Sequence, residues 1–91
     1  MIKSFKCKEV DRVFKGRFPK KLSQNMQLLA ACNLTMLNFA ASLNDLRLPL
    51  ANRLEALSGD RKDQYSIRIN QQWRICFDWH QDGAYSVEIV D

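Results

Sequence analysis

The stretch Gln64-Tyr65-Ser66-Ile67-Arg68-Ile69-Asn70-Gln71-Gln72-Trp73-Arg74-Ile75-Cys76-Phe77-Asp78-Trp79 decides the fold. Tyr65, Ile67 and Ile69 alternate with Ser66, Arg68 and Asn70. After a polar break, Trp73, Ile75, Phe77 and Trp79 alternate with Arg74, Cys76 and Asp78. A period of two means strands with one face on a core and one face polar, the habit of antiparallel sheets. Downstream, Asp82-Gly83 marks a turn, and Tyr85, Val87 and Ile89 alternate with Ser86 and Glu88. Upstream, residues 53–57 read as a further strand with Leu54 and Ala56 inward and Arg53 and Glu55 on the polar side, closed by a Gly59-Asp60 turn. The pattern is a β-meander.

The register follows from keeping the two faces separate. A two-residue Gln71-Gln72 turn would pair Ile69 with Arg74 and mix apolar with polar positions. An odd-length loop pairs Ile69 with Trp73 and places Arg68 directly opposite Arg74. Like charges across a strand pair are destabilising, so this register implies an anion held between the two guanidinium groups. The competing expectation is that they splay into solvent or pair with Asp78 and Glu88. The Gly59-Asp60-Arg61 turn adds Arg61 at the rim. The polar face thus collects Arg53, Arg61, Arg68 and Arg74 around Glu55, with Asp91 at the end of the last strand.

The other half reads as helical. Residues 2–5 suit a short first strand. Val10, Val13 and Phe14 fit one stripe of a short helix ended by Gly16. A longer helix starts near Pro19, and its inner face is expected to run through Leu22, Met26, Leu29, Ala30, Met36, Leu37 and Ala40. A loop around Asn44-Asp45 and Pro49 closes this half. The expected class is α+β, with an N-terminal strand and two helices on one face of an antiparallel meander, in a single domain over residues 1–91.

Composition narrows the chemistry. The net charge is +4, yet residues 1–21 carry eight bases against Glu9 and Asp11, a net of +6, and the rest of the chain is at −2. The N-terminal bases are mostly lysine, and Lys20 and Lys21 are candidates for contact with RNA. Five of the six later bases are arginine, whose planar fork matches phosphate. Cys7, Cys32 and Cys76 are dispersed and His80 is the lone histidine, so neither a zinc site, a disulfide framework nor a histidine-pair ribonuclease is expected. No Walker loop, metal-binding carboxylate cluster or Ser-His-Asp set is present, so neither a metal nor a cofactor is expected. There is no apolar run of membrane length and no leader-like segment, so the expected location is the cytoplasm, away from any membrane.

The segments Asn52-Arg53-Leu54-Glu55-Ala56-Leu57-Ser58-Gly59-Asp60-Arg61, residues 64–70 and residues 72–77 resemble HigB-type toxins of the RelE/ParE superfamily of bacterial toxin–antitoxin systems. Met1-Ile2-Lys3-Ser4-Phe5 and Val87-Glu88-Ile89-Val90-Asp91 resemble the same family. The resemblance implies a RelE/ParE-like fold and a ribosome-dependent mRNA endonuclease that inhibits translation and growth. It implies a HigA-like helix-turn-helix antitoxin, with operator DNA bound only through the toxin–antitoxin complex. In the family reaction, without a metal, the ribose 2′-hydroxyl attacks the adjacent phosphate and expels the 5′-oxygen. Carried onto this sequence, Glu55, Arg74 and Asp91 are the catalytic candidates, and Arg53, Arg61, Arg68, Lys20 and Lys21 hold RNA or phosphate. Either Glu55 or Asp91 accepts the 2′-hydroxyl proton; some relatives carry histidine where Glu55 stands. Many relatives continue with Tyr-His after the aspartate matching Asp91, where this sequence stops, which tempers the expectation of cleavage. Two other readings share the fold: a non-enzymatic toxin resembling the gyrase poisons, and a degenerate toxin that acts only as an antitoxin-bound co-repressor.

Overall fold

A computed structural model describes residues 1–6, 8–15, 23–47, 53–57 and 64–90. Two helices precede the sheet: α1, Lys8–Phe14, and α2, Gln24–Phe39. The strands are β1, Glu55–Ala56; β2, Gln64–Arg68; β3, Arg74–His80; and β4, Gly83–Val90. They form one antiparallel sheet in the order β1-β2-β3-β4. Residues 2–5 run parallel to β4 along its outer edge, bridging Ile2 to Ala84 and Phe5 to Val87. This is the α+β arrangement expected from the alternation.

Helix α2 begins at Ser23, whose hydroxyl accepts the N–H of Met26 at 3.2 Å. A serine cap satisfies one of the donors left free in the first helical turn. The expected start near Pro19 lies outside the described residues. Met26, Ala30, Leu34 and Leu37 are the buried residues of α2. Leu34 replaces Leu29 in the expected stripe, and Leu29 is exposed. At 100° per residue Met26, Leu37, Ala30 and Leu34 fall in that order within one inward sector about 80° wide, whereas Leu29 is turned about 60° out of it on the Met26 side.

The core packs α2 and Val10 of α1 against Ile67, Ile69, Ile75, Phe77, Ala84 and Val87. Phe5 and Phe14 meet at a ring separation of 5.8 Å and close the side beside α1. A backbone N–H of Ile2 donates to Asn38 Oδ1 at 2.9 Å, tying the N-terminal segment to the end of α2. Asp45 Oδ2 accepts the N–H groups of Ala41 and Ser42, which fixes the short 3-10 turn Leu43–Leu46 and buries Leu46.

Two sheet expectations need correction. Ala56 was expected inward, but it is exposed, because β1 is a two-residue edge strand that only begins to cover the core. Leu54 alone of that pair packs on the core. On β4, Val87 and Ile89 face inward but Tyr85 does not. Cys76 pairs with Glu88, whereas Asp78 pairs with Tyr85, so β4 carries one extra residue between these pairs. Ser86 takes φ +53 there. A bulge of this kind shifts the alternation by one position. Ala84 becomes the core residue in place of Tyr85, and Tyr85 turns to the polar face beside Asp78.

Candidate anion site on the polar face of the sheet

The polar face is a grid fixed by strand pairing. In one row Arg68 faces Arg74, and Arg74 faces Val90. In the next row Glu55, Ser66, Cys76 and Glu88 lie side by side across all four strands. A third row holds Gln64, Asp78 and Tyr85. The arginine pair anticipated from the register is therefore present.

Local structure explains why this pair is held. Ile69 donates its N–H to the Trp73 carbonyl at 2.9 Å. That makes the neighbouring Arg68–Arg74 pair the non-hydrogen-bonded kind, in which side chains stand closest. Asn70 Oδ1 accepts the N–H groups of Gln72 and Trp73 at 2.9 and 2.8 Å, an Asx-type turn that sets the hairpin. Asn33 of α2 donates to the Arg68 carbonyl at 3.2 Å, so the long helix anchors the strand from behind. Arg68 Nε donates to the Asn70 carbonyl at 2.9 Å. This bond orients the guanidinium and leaves its two terminal nitrogens available.

A cavity of about 190 Å³ opens here, lined by Arg53, Glu55, Ser66, Arg68, Gln71 and Arg74. Its size suits a phosphate group with part of a ribose. Among the described residues none of the three arginines forms an ion pair. Asp78 and Glu88 do not serve as their partners: Lys6 takes Glu88 at 2.9 Å. A neighbouring cavity of about 130 Å³ contains that pair together with Gln64, Cys76, Phe77 and Ser86. Arg53 has φ +46. A side chain in the left-handed region costs on the order of 1–2 kcal/mol. The distortion sits where the chain enters β1 and turns an arginine toward the cavity.

Of the residues expected to act, Arg53, Glu55, Arg68 and Arg74 are brought together. Arg61, Lys20, Lys21 and Asp91 lie outside the described residues, as do Gly16, Pro49 and the Gly59-Asp60 turn. Val90, immediately before Asp91, stands opposite Arg74. The sequence reading missed Ser66 and Gln71. Ser66 is 2% exposed and is the one buried polar residue among those described. Its place two residues from Arg68 on an alternating strand was the available signal. No group of three potential metal ligands exists among the described residues.

A second polar cluster occupies the far end of the face. Tyr85 donates its hydroxyl to Asp82 Oδ2 at 2.5 Å and packs edge-on against His80 at 5.0 Å. That hydrogen bond is the main reason the Asp82 carboxyl is held below its ordinary value and the Tyr85 phenol above its own. His80 ends β3 and is exposed.

Comparison with known proteins decides the family. The family model for HigB, the RelE-like toxin of type II toxin–antitoxin systems, matches residues 3–91. The chain belongs to the HigB-like toxins. Toxin HigB-1 of Vibrio cholerae serotype O1 is 46% identical over 46 residues, which cover 50% of this chain and 48% of that protein. An uncharacterized protein of Haemophilus influenzae is 36% identical over 67 residues, covering 74% of this chain and 66% of its own length. The matched stretches thus span about half to two thirds of these relatives. No helix among the described residues of this HigB-like chain is long and apolar enough to cross a membrane.

Proposed function

We propose that this HigB-like toxin is a metal-independent endoribonuclease that cuts mRNA on the translating ribosome and is held in check by a HigA-like helix-turn-helix antitoxin. The observation that carries the reading is the Arg68–Arg74 pair, set face to face over a cavity that also holds Arg53 and Glu55. Two guanidinium groups at one position repel each other unless an anion lies between them, and a phosphodiester is such an anion.

The chemistry follows from the residue set. Arginine stays charged at neutral pH, so Arg53, Arg68 and Arg74 bind the scissile phosphate and stabilise the charge that builds on its oxygens. The ribose 2′-oxygen forms a bond to phosphorus while the bond from phosphorus to the 5′-oxygen breaks. The 2′-hydroxyl proton passes to a carboxylate, Glu55 or Asp91, and water protonates the departing 5′-oxygen. The products are a 2′,3′-cyclic phosphate and a 5′-hydroxyl. Buried Ser66, beside Glu55 in the grid, supplies a hydroxyl at the cavity floor. Lys20, Lys21 and Arg61 add further contacts to the RNA. The site acts in the cytoplasm, and the toxin reaches operator DNA only through its antitoxin.

The test is induction of the wild-type protein and of Arg74→Ala, with transcriptome-wide mapping of mRNA ends. Wild type should produce new 5′-hydroxyl ends within coding regions, and Arg74→Ala should reduce them by about 10²–10³-fold, the usual effect of removing one transition-state donor. Growth arrest with intact mRNA and rising DNA breaks would instead favour a gyrase-directed toxin, and absence of toxicity would leave the co-repressor role.

A further inference from the structure

Helix α2 carries no charged residue in its sixteen positions, Gln-Asn-Met-Gln-Leu-Leu-Ala-Ala-Cys-Asn-Leu-Thr-Met-Leu-Asn-Phe, in a chain that is 26% charged. Its core stripe is Met26, Ala30, Leu34 and Leu37. Leu28, Cys32, Thr35 and Phe39 fall at steps of four, three and four residues, forming a second stripe. At 100° per residue it lies roughly 180° from the first. Leu28 is 57% exposed and Phe39 79% exposed, and Leu29, at 44%, flanks them. Among the described residues the only other exposed large hydrophobic is Met1. A helix that is apolar on opposite sides is one that is covered on both.

From this we infer that the outer face of α2 is the docking surface for the antitoxin, which covers it with an acidic amphipathic segment presenting an apolar ridge. The inference rests on the antitoxin half of the proposed function and not on RNA cleavage. Charge identifies the occupant. An uncharged strip offers no counter-ion, so the partner's central contacts must be apolar too, since an unpaired charge buried there would be expensive. Helix α1 packs against α2 and presents exposed Lys8 and Arg12, which have no ion-pair partner among the described residues. Acidic flanks on the partner complement them. Area argues against a second copy of this chain: the exposed apolar side chains amount to roughly 300–400 Å², and two such patches fall short of the ~1,200 Å² that a stable dimer buries. A heterologous segment can run on beyond the helix, over α1. Phe39, the most exposed large side chain at the helix end, is the natural anchor.

The experiment co-expresses the tagged chain with the product of the adjacent reading frame and measures the affinity of the purified pair. Leu28→Glu and Phe39→Glu are compared with wild type, each first checked for an unchanged melting temperature and an unchanged response to inorganic phosphate. Both substitutions sit on the surface, away from the core and the arginine cavity. The expected result is a loss of affinity of about 30-fold or more for Phe39→Glu, the range of an interface hot spot. Charge reversal at Arg12 should weaken binding less and flatten its salt dependence. A folded, phosphate-responsive Phe39→Glu variant that binds as tightly as wild type would overturn the docking surface. So would sedimentation showing that the chain dimerises alone through α2. If wild-type protein forms no complex with that product, the antitoxin reading fails and the inference with it, whatever the phosphate response.

Discussion

Replacing Arg74 by glutamine should make the protein more stable and less able to bind phosphate. Arg68 and Arg74 are directly opposed in adjacent strands, in the pair type that brings side chains closest. Two unit charges ~6 Å apart in a water-like medium repel by roughly 0.7 kcal/mol. The half-buried position of Arg68 raises this figure and salt lowers it, so at low ionic strength Arg74→Gln should gain about 0.5–1 kcal/mol. For a domain of this size that is a rise in Tm of about 2–8 °C in phosphate-free buffer. Glutamine keeps most of the aliphatic stem, so little packing is lost. Added phosphate reverses the order. At ten times its Kd it should stabilise wild type by about 1.4 kcal/mol and the variant far less. Thermal melts at low salt, with and without phosphate, measure both effects. A variant less stable than wild type without phosphate, or equally stabilised by it, would show that no anion site is built on this pair.

Gly83 takes φ +145, and a Cβ added there would lie 2.1 Å from the Met1 carbonyl oxygen. Gly83→Ala should push residues 1–5 off β4, breaking the bonds from Ala84 N–H to Met1 and from Lys3 N–H to Ala84. The expected cost is about 2–4 kcal/mol, read as a lower urea midpoint with faster amide exchange at Lys3 and Ala84, and an unchanged midpoint would refute it. Tyr85→Phe removes the hydrogen bond that lowers the Asp82 pKa. The bond's contribution to stability is complete above the ordinary Asp value of 3.8 and disappears as pH falls through the lowered folded value, so the variant should lose this acid-side dependence. Its Asp82 carboxyl should titrate closer to 3.8, as followed by carbon NMR, and an unmoved midpoint would count against the assignment.

Much of the site was legible in the sequence because a strand has a period of two. Once Ile67, Ile69, Trp73 and Ile75 are required to share a face, Arg68 must oppose Arg74, and Ser66 must lie on the same side. Local chemistry carried the turn as well, since the Asn70 side chain satisfies the two N–H groups that follow it. The class and the family were equally readable, from alternation and from the Leu-x-Gly-Asp-Arg, Tyr-Ser-Ile and Trp-Arg-Ile segments. What the chain order did not disclose depended on competition between elements. The bulge at Ser86 exchanges Tyr85 for Ala84 in the core, and nothing in Ser86 itself signals a positive φ. The choice of Leu34 over Leu29 was made by where α2 meets the sheet, because both leucines fit a helical spacing. Glu88 could have answered an arginine, but residues 2–5 lie along β4 and deliver Lys6 to it instead. That contact joins positions far apart in sequence, and only the packed chain could leave the arginine pair without it.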